Sequence, residues 1–283
     1  MAAKTVLAAA SGVTLQVPDL NLLLRRPVQY YQRPWAIERV FAEARSHWRS
    51  LSRPGDITYV YSKSMPRSGH RLLAECLTAY FHDTLHYCEY YPPGDCCRRI
   101  PCAKPYNETR RNCYFMQKSH DFGFRDATHL PGKYLIQFRS PIPRLQSNFE
   151  LYARDTGRGD AESFYAFATR ETTYFINFYR KWIAKPRPST LVFSYEELTQ
   201  NQGQTLKMII SFITGNADLD LAALQAAIAS APAGVARLSA PQGGFRDPRT
   251  HAYSDPQFFA ELEARVAEAC GTDRIRFHFL GRD

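Results

Sequence analysis

Ile57-Thr58-Tyr59-Val60-Tyr61-Ser62-Lys63-Ser64-Met65-Pro66-Arg67-Ser68-Gly69-His70-Arg71-Leu72-Leu73 is the stretch that decides the fold of this 283-residue chain. It opens on β-branched and aromatic residues, the composition of a buried strand. From Gly69 onward Leu72, Leu73, Cys76, Leu77, Tyr80 and Phe81 recur at helical spacing. A loop joining such a strand to such a helix presents unpaired backbone N–H groups where the helix dipole also favours an anion. Gly69 lets the backbone approach a phosphate closely, Arg67 adds a charge-assisted clamp, and Ser68 adds a hydroxyl donor. The segment from Ile57 to Leu77 is therefore expected to cradle phosphate, and the chain to be an enzyme using a nucleotide-type anionic cofactor.

The loop is not a Walker A motif. That pattern needs G-x-x-x-x-G-K-[ST], but Ser64 stands where its first glycine belongs, and His70 and Arg71 replace the Lys and the hydroxyl residue. Without that hydroxyl there is no side chain to hold Mg²⁺ in the usual way, which disfavours an ATP or GTP hydrolase.

Working outward, strands are expected at 114–116, 134–138 and 190–193. Helices are expected at about 142–154, 160–184, 204–213, 219–229 and 256–270. The stripe Phe164, Phe167, Phe175, Phe178, Tyr179 and Trp182 has helical spacing and reads as core. Alternating strands and helices predict an α/β fold, a P-loop-like three-layer arrangement with a mainly parallel central sheet flanked by helices. One domain spans 1–283. Residues 1–55 form an N-terminal extension with a helix from Trp35 to Leu51, and 90–112 form a Cys/Arg-rich inserted loop.

Composition is that of a globular protein, with 45% hydrophobic and 22% charged residues, and no apolar run approaches the roughly 20 residues that span a bilayer. No transmembrane segment or secretory signal is read, so a cytoplasmic location is expected. The net charge of +9 favours polyanionic partners. The basic residues are scattered and lack aromatic interleaving, which argues against nucleic acid and for a highly charged small cofactor. Cys96, Cys97, Cys102 and Cys113 lack the two close ligand pairs of a zinc site, so no metal is expected. They read as thiols or one local disulfide.

Three further segments follow expected strands: Gln117-Lys118-Ser119-His120, Arg139-Ser140-Pro141 with Ser147 eight residues past Arg139, and Ser194-Tyr195-Glu196-Glu197-Leu198. Ligands of open α/β sheets gather at the carboxyl ends of strands, where all of these sit beside the phosphate loop.

This ordered set, over roughly residues 57–200, resembles the sulfotransferases that use 3′-phosphoadenosine 5′-phosphosulfate (PAPS) and release adenosine 3′,5′-bisphosphate (PAP). Pro66-Arg67-Ser68-Gly69 is similar to the first four positions of the family loop P-[KR]-[SA]-G-[TS]-[TS], while His70 and Arg71 depart from its hydroxyl pair. The resemblance implies that Pro66 to Arg71 hold the 5′-phosphosulfate and that Arg139 and Ser147 grip the 3′-phosphate. Lys118-Ser119-His120 looks like the family's K-[TS]-H. There His120 would be the general base and Lys118 would neutralise the bridging oxygen, with His70 or a carboxylate such as Glu75 as rival bases. Phe193 to Leu198 is similar to [FR]-x-Y-E-[DE]-[LM], which places Tyr195 by the adenine. Gly243-Gly244-Phe245-Arg246 is the candidate for the loop that closes over the cofactor, with Arg246 a cofactor contact.

The activity so implied is sulfuryl transfer to a hydroxyl or amine of a carbohydrate, glycolipid or small-molecule acceptor. Two other readings stay open: a kinase or other P-loop transferase using a nucleoside triphosphate, and a non-catalytic module binding acidic glycans through Arg98-Arg99 and Arg110-Arg111.

Overall fold

The computed structural model describes residues 57–89, 100, 102, 113–185, 187–238, 252–253 and 255–271. All of them lie within one compact unit, Arg45–Asp283. The expected helix 35–51, the Arg98-Arg99 and Arg110-Arg111 pairs, Cys96, Cys97 and Arg246 fall outside the described residues.

Five strands, β1 (Ile57–Ser64), β2 (Leu85–Cys88), β3 (Cys113–Ser119), β4 (Lys133–Phe138) and β5 (Thr190–Ser194), form one sheet. Their order is β2-β3-β1-β4-β5, and every neighbouring pair is parallel. Parallel strands buried on both faces read as near-continuous apolar runs, which is how β1, β3 and β4 were legible. The helices are α1 (His70–Phe81), α2 (Pro141–Thr156), α3 (Ala161–Phe178), α4 (Tyr195–Gln200), α5 (Gln202–Thr214), α6 (Leu221–Leu238) and α7 (Pro256–Cys270). A π-helical turn, Tyr179–Ile183, extends α3. Among the described residues no helix is long and apolar enough to cross a membrane.

The expected three-layer α/β architecture is therefore present. On one face, Val60, Met116, Leu135 and Phe193 pack under Leu73 and Leu77 of α1, Leu206 and Ile209 of α5, and Leu224 of α6. On the other face, Tyr59, Tyr61, Phe115 and Tyr134 pack under Phe175, Phe178, Tyr179 and Trp182 of α3 and its π turn, and Val266 of α7. The aromatic stripe of α3 is core, as its spacing predicts. A satellite cluster joins α2, α3 and α7 through Phe149, Phe164, Phe167 and Phe259. Strand β2 was not expected; it has four residues, follows α1 through a short 3₁₀ turn and lies at the sheet edge.

Because β3 and β4 flank β1 on opposite sides, the chain crosses over β1 between them. The crevice outside the carboxyl end of β1 is the topological switch point where ligands of such sheets bind. The core changes character there. Ser62, Lys63 and Ser64 end β1 fully buried, with Lys118 and Ser119 beside them on β3 and Gln137 on β4. Three successive polar residues in the middle of a sheet carry a desolvation cost that an apolar strand avoids, so this end of the sheet is shaped by something other than packing.

Candidate active site

The chain leaves β1 at Ser64 and turns sharply. The Met65 N–H donates to the Gln137 carbonyl at 3.1 Å, and the Ser68 N–H donates to the Met65 carbonyl at 3.3 Å. Arg67 has φ +63° and Gly69 φ +81°, both in the left-handed region. Gly69 caps α1 without any side-chain hydrogen bond, and the first turn of α1 has no acidic residue but His70 and Arg71. Helices α3, α4 and α7 start on Asp160, Ser194 and Asp255, whose side chains each accept a backbone N–H. Helix α1 thus begins with open amides in a basic setting, the arrangement that suits an external anion.

Gly69 is also required for space. A Cβ there would lie 2.4 and 2.7 Å from ring carbons of Tyr195 and 3.6 Å from Gln137 Nε2. Tyr195 follows β5 and its ring lies against the loop. The Arg139 guanidinium sits 4.6 Å over that ring's centroid, and Arg139 donates through Nη1 to the Arg67 carbonyl at 3.3 Å. Burial lowers the pKa of Arg139 and of Arg67, although an arginine keeps its charge. The Arg67 Nε donates to Ser147 Oγ at 2.9 Å, so Ser147 meets Arg67 and no hydrogen bond joins it to Arg139. Four buried polar atoms around this loop have no hydrogen-bond partner among the described residues: Ser68 Oγ, Arg139 Nε, and both amide atoms of Gln137. Buried polar atoms are rarely left so, and their concentration at a helix start marks a place built for a polar guest.

Across β1, the His120 Nδ1 lies 2.6 Å from the Ser64 carbonyl oxygen. A carbonyl only accepts, so Nδ1 carries the proton and Nε2 keeps the lone pair. Tyr174 OH donates to the His120 carbonyl at 2.5 Å, fixing the residue from the α3 side. Burial, helped by the charge of Lys118, pushes the His120 imidazole down to about 3. Its ring meets His70 edge-on at 5.2 Å between centroids. His70 is driven to about 2, first by burial and then by Lys118 and His120, and its Nε2 lies 3.8 Å from a Glu89 carboxylate oxygen. Burial brings Lys118 down to about 8. Both histidines are therefore neutral over the working range, and they share one site with the loop. Phe122, 58% exposed, stands 5.2 Å from the His120 ring.

The turn after His120 is held by charges that sequence reading missed. Lys63, fully buried, donates to Asp126 Oδ2 at 2.6 Å. Asp121, at φ +48°, accepts from Lys181 Nζ at 2.5 Å, from Trp182 Nε1 at 3.0 Å and from the Asp126 N–H at 2.9 Å. Lys63 alternates with Ser62 and Ser64, so it faces the opposite side of the sheet and ties the turn to β1, while Asp121 ties the turn to the π-helical segment. A lysine inside a strand carries no motif that would have revealed this pairing with residues some sixty positions away.

Of the residues singled out from sequence, the structure brings Arg67 and Gly69 together with Arg139, Tyr195 and Ser147 on the β4 side of β1, and His70 together with His120 and Lys118 on the β3 side. Glu75 lies along α1 with its Oε2 buried.

No protein-family profile matches the chain, and no curated sequence matches it. Solved structures are similar to it. Mouse sulfotransferase SULT7A1 complexed with PAP is 17% identical over 75% of this chain and 85% of its own, with a TM-score of 0.55. Retinol dehydratase in complex with androsterone and the inactive cofactor PAP is 13% identical over 83% and 88%, with a TM-score of 0.55. The same enzyme with retinol and PAP gives 14%, 82%, 88% and 0.52. The parallel β2-β3-β1-β4-β5 sheet, with its loop and uncapped helix at the switch point, is the sulfotransferase fold.

Proposed function

We propose that this protein is a sulfotransferase that takes a sulfuryl group from PAPS and passes it to a hydroxyl or amine of a small-molecule, lipid or carbohydrate acceptor. The observation that carries the reading is the Gly69–Tyr195–Arg139 stack over the open start of α1, ringed by buried polar atoms without partners. These donors fit a nucleotide bearing anions at two ends. The α1 amides, Ser68 and Arg67 suit the 5′-phosphosulfate, Arg139 with Ser147 suits the 3′-phosphate, and Tyr195 offers a ring face to the base.

PAPS, when bound, supplies a sulfuryl group already activated as a mixed anhydride. The chain's own task is then to position and to handle charge and a proton. His120 presents Nε2, unprotonated because the Nδ1 proton is committed to the Ser64 carbonyl, to accept the acceptor's proton. A polyanion seated beside the imidazole favours its cation and raises its basicity from the low value set by burial. Lys118 brings positive charge to the same side, and His70, a neutral imidazole against His120, limits the water that reaches it. Phe122 offers an apolar edge to the acceptor.

Differential thermal stabilisation tests the reading. PAP should raise the melting temperature and ATP with Mg²⁺ should not. Stabilisation by ATP with Mg²⁺ alone would replace the sulfotransferase by a P-loop kinase. Tight binding of acidic glycans with no transfer of labelled sulfate would replace it by a binding module.

A further inference from the structure

We infer that Gln137 is a further binding residue of this site, its side-chain amide donating from beneath the loop to the anion held at the start of α1; this rests on the sulfotransferase reading above. Gln137 has 0% exposure, and both its amide oxygen and its amide nitrogen lack a hydrogen-bond partner among the described residues. Burying both ends of a carboxamide without partners forfeits their hydration, and a methionine or leucine of similar volume would fill the same space at no such cost. Packing therefore gives no reason for an amide here.

Position supplies one. Gln137 is paired in register with Ser64 on β1 and Phe193 on β5, and its own carbonyl anchors the loop by accepting the Met65 N–H. In-register residues of parallel strands point to the same face. Gln137 accordingly lies on the α1 face of the sheet, in one row with Ser64 and, one residue past the end of β3, His120. Its Nε2 is 3.6 Å from the point where a Cβ of Gly69 would sit. That is ordinary contact distance, so the amide nitrogen lies beside the residue that caps α1. A neutral NH₂ group in that place donates to an oxyanion without adding charge to a site already crowded by Arg67, Arg71 and Arg139.

Isothermal titration with two nucleotides tests the assignment. Gln137→Met keeps the volume and removes the donor; Gln137→Glu keeps the shape and puts acceptors where the donor was. With PAP, which carries both a 5′- and a 3′-phosphate, each variant should lose about tenfold or more in affinity, the scale of a hydrogen bond to a charged group. With adenosine 3′-monophosphate, which has no 5′-phosphate, Gln137→Met should bind like the wild type. The unliganded Gln137→Met protein should melt no lower than the wild type. Unchanged PAP affinity in Gln137→Met overturns the assignment, and so does an equal loss for both nucleotides, which would mark Gln137 as a mere support of the loop. Wild-type protein that binds neither nucleotide overturns the sulfotransferase reading itself and this assignment with it.

Discussion

Lowering the pH from 7 to 5 should destabilise this protein through His120, and the size of the effect can be worked out. In the unfolded chain a histidine titrates near 6.5, while in the fold burial holds His120 near 3. Between these values the unfolded state binds a proton that the native state refuses, so the stability present above pH 6.5 is lost as pH falls toward 3. From pH 7 to 5 the linkage amounts to about 2 kcal/mol, whatever the native value, provided it stays below about 4. His70 pulls in the same direction, but Glu89 at 3.8 Å offers its imidazolium a partner, so His120 gives the cleaner measurement. The assay is urea unfolding at the two pH values for wild type and His120→Asn, whose amide nitrogen takes the place of Nδ1 and can still donate to the Ser64 carbonyl. The variant should lose about 2 kcal/mol less than the wild type between pH 7 and 5. Superimposable pH dependences would refute the claim that His120 is buried and neutral, and with it the proposed role of Nε2 as the base.

Arg139→Ala should weaken PAP binding by about 1.5 to 3 kcal/mol, the scale of a hydrogen bond to a charged group, measured by calorimetry; unchanged affinity removes Arg139 from the site. Gly69→Ala places a methyl 2.4 Å from a Tyr195 ring carbon at φ +81°, and strain with overpacking should cost about 2 to 4 kcal/mol in thermal or urea unfolding. Gly69→Ala combined with Tyr195→Ala should recover part of that loss, and a double variant no better than the sum of the singles would count against the contact. Lys63→Met leaves Asp126 buried without its charge partner and should destabilise by about 3 to 5 kcal/mol. A change below about 1 kcal/mol would mean that the pair contributes no more than a surface ion pair does.

The fold was legible wherever apolar periodicity was strong. β1, α1, β4, α3 and α7 come out where the spacing of Val60, Leu73, Ile136, Phe175 and Leu262 places them. β2 was missed because Leu85-His86-Tyr87-Cys88 is too short to show alternation and is half-buried at an edge. The loop from Pro66 to Arg71 was readable because glycine and proline announce a turn and the helix start follows from the apolar pattern. What the residues do to one another there was not. That Tyr195 packs on Gly69, that Arg67 rather than Arg139 meets Ser147, and that Lys63 crosses the sheet to Asp126 are consequences of strand order, which single residues do not encode. Gln137 was invisible for a related reason. Within Tyr134-Leu135-Ile136-Gln137-Phe138 it reads as a polar interruption of a strand, and only its burial without partners gives it meaning.

Strand β1 divides the labour of the site as a party wall divides two rooms. The groups assigned to the nucleotide, namely Gln137, Arg139, Ser147 and Tyr195, arrive from β4, β5 and α2 on one side. The groups proposed to handle the proton and to face the acceptor, Lys118, His120 and Phe122, arrive from β3 and its turn on the other. Neighbouring strands are only about 4.8 Å apart, so the two rooms adjoin closely enough for direct transfer while being furnished by different stretches of chain. Substitutions in the turn after His120 can therefore retune which acceptor is taken without touching what holds the donor. An altered acceptor range with constant PAP affinity is the signature to look for in variants of Phe122.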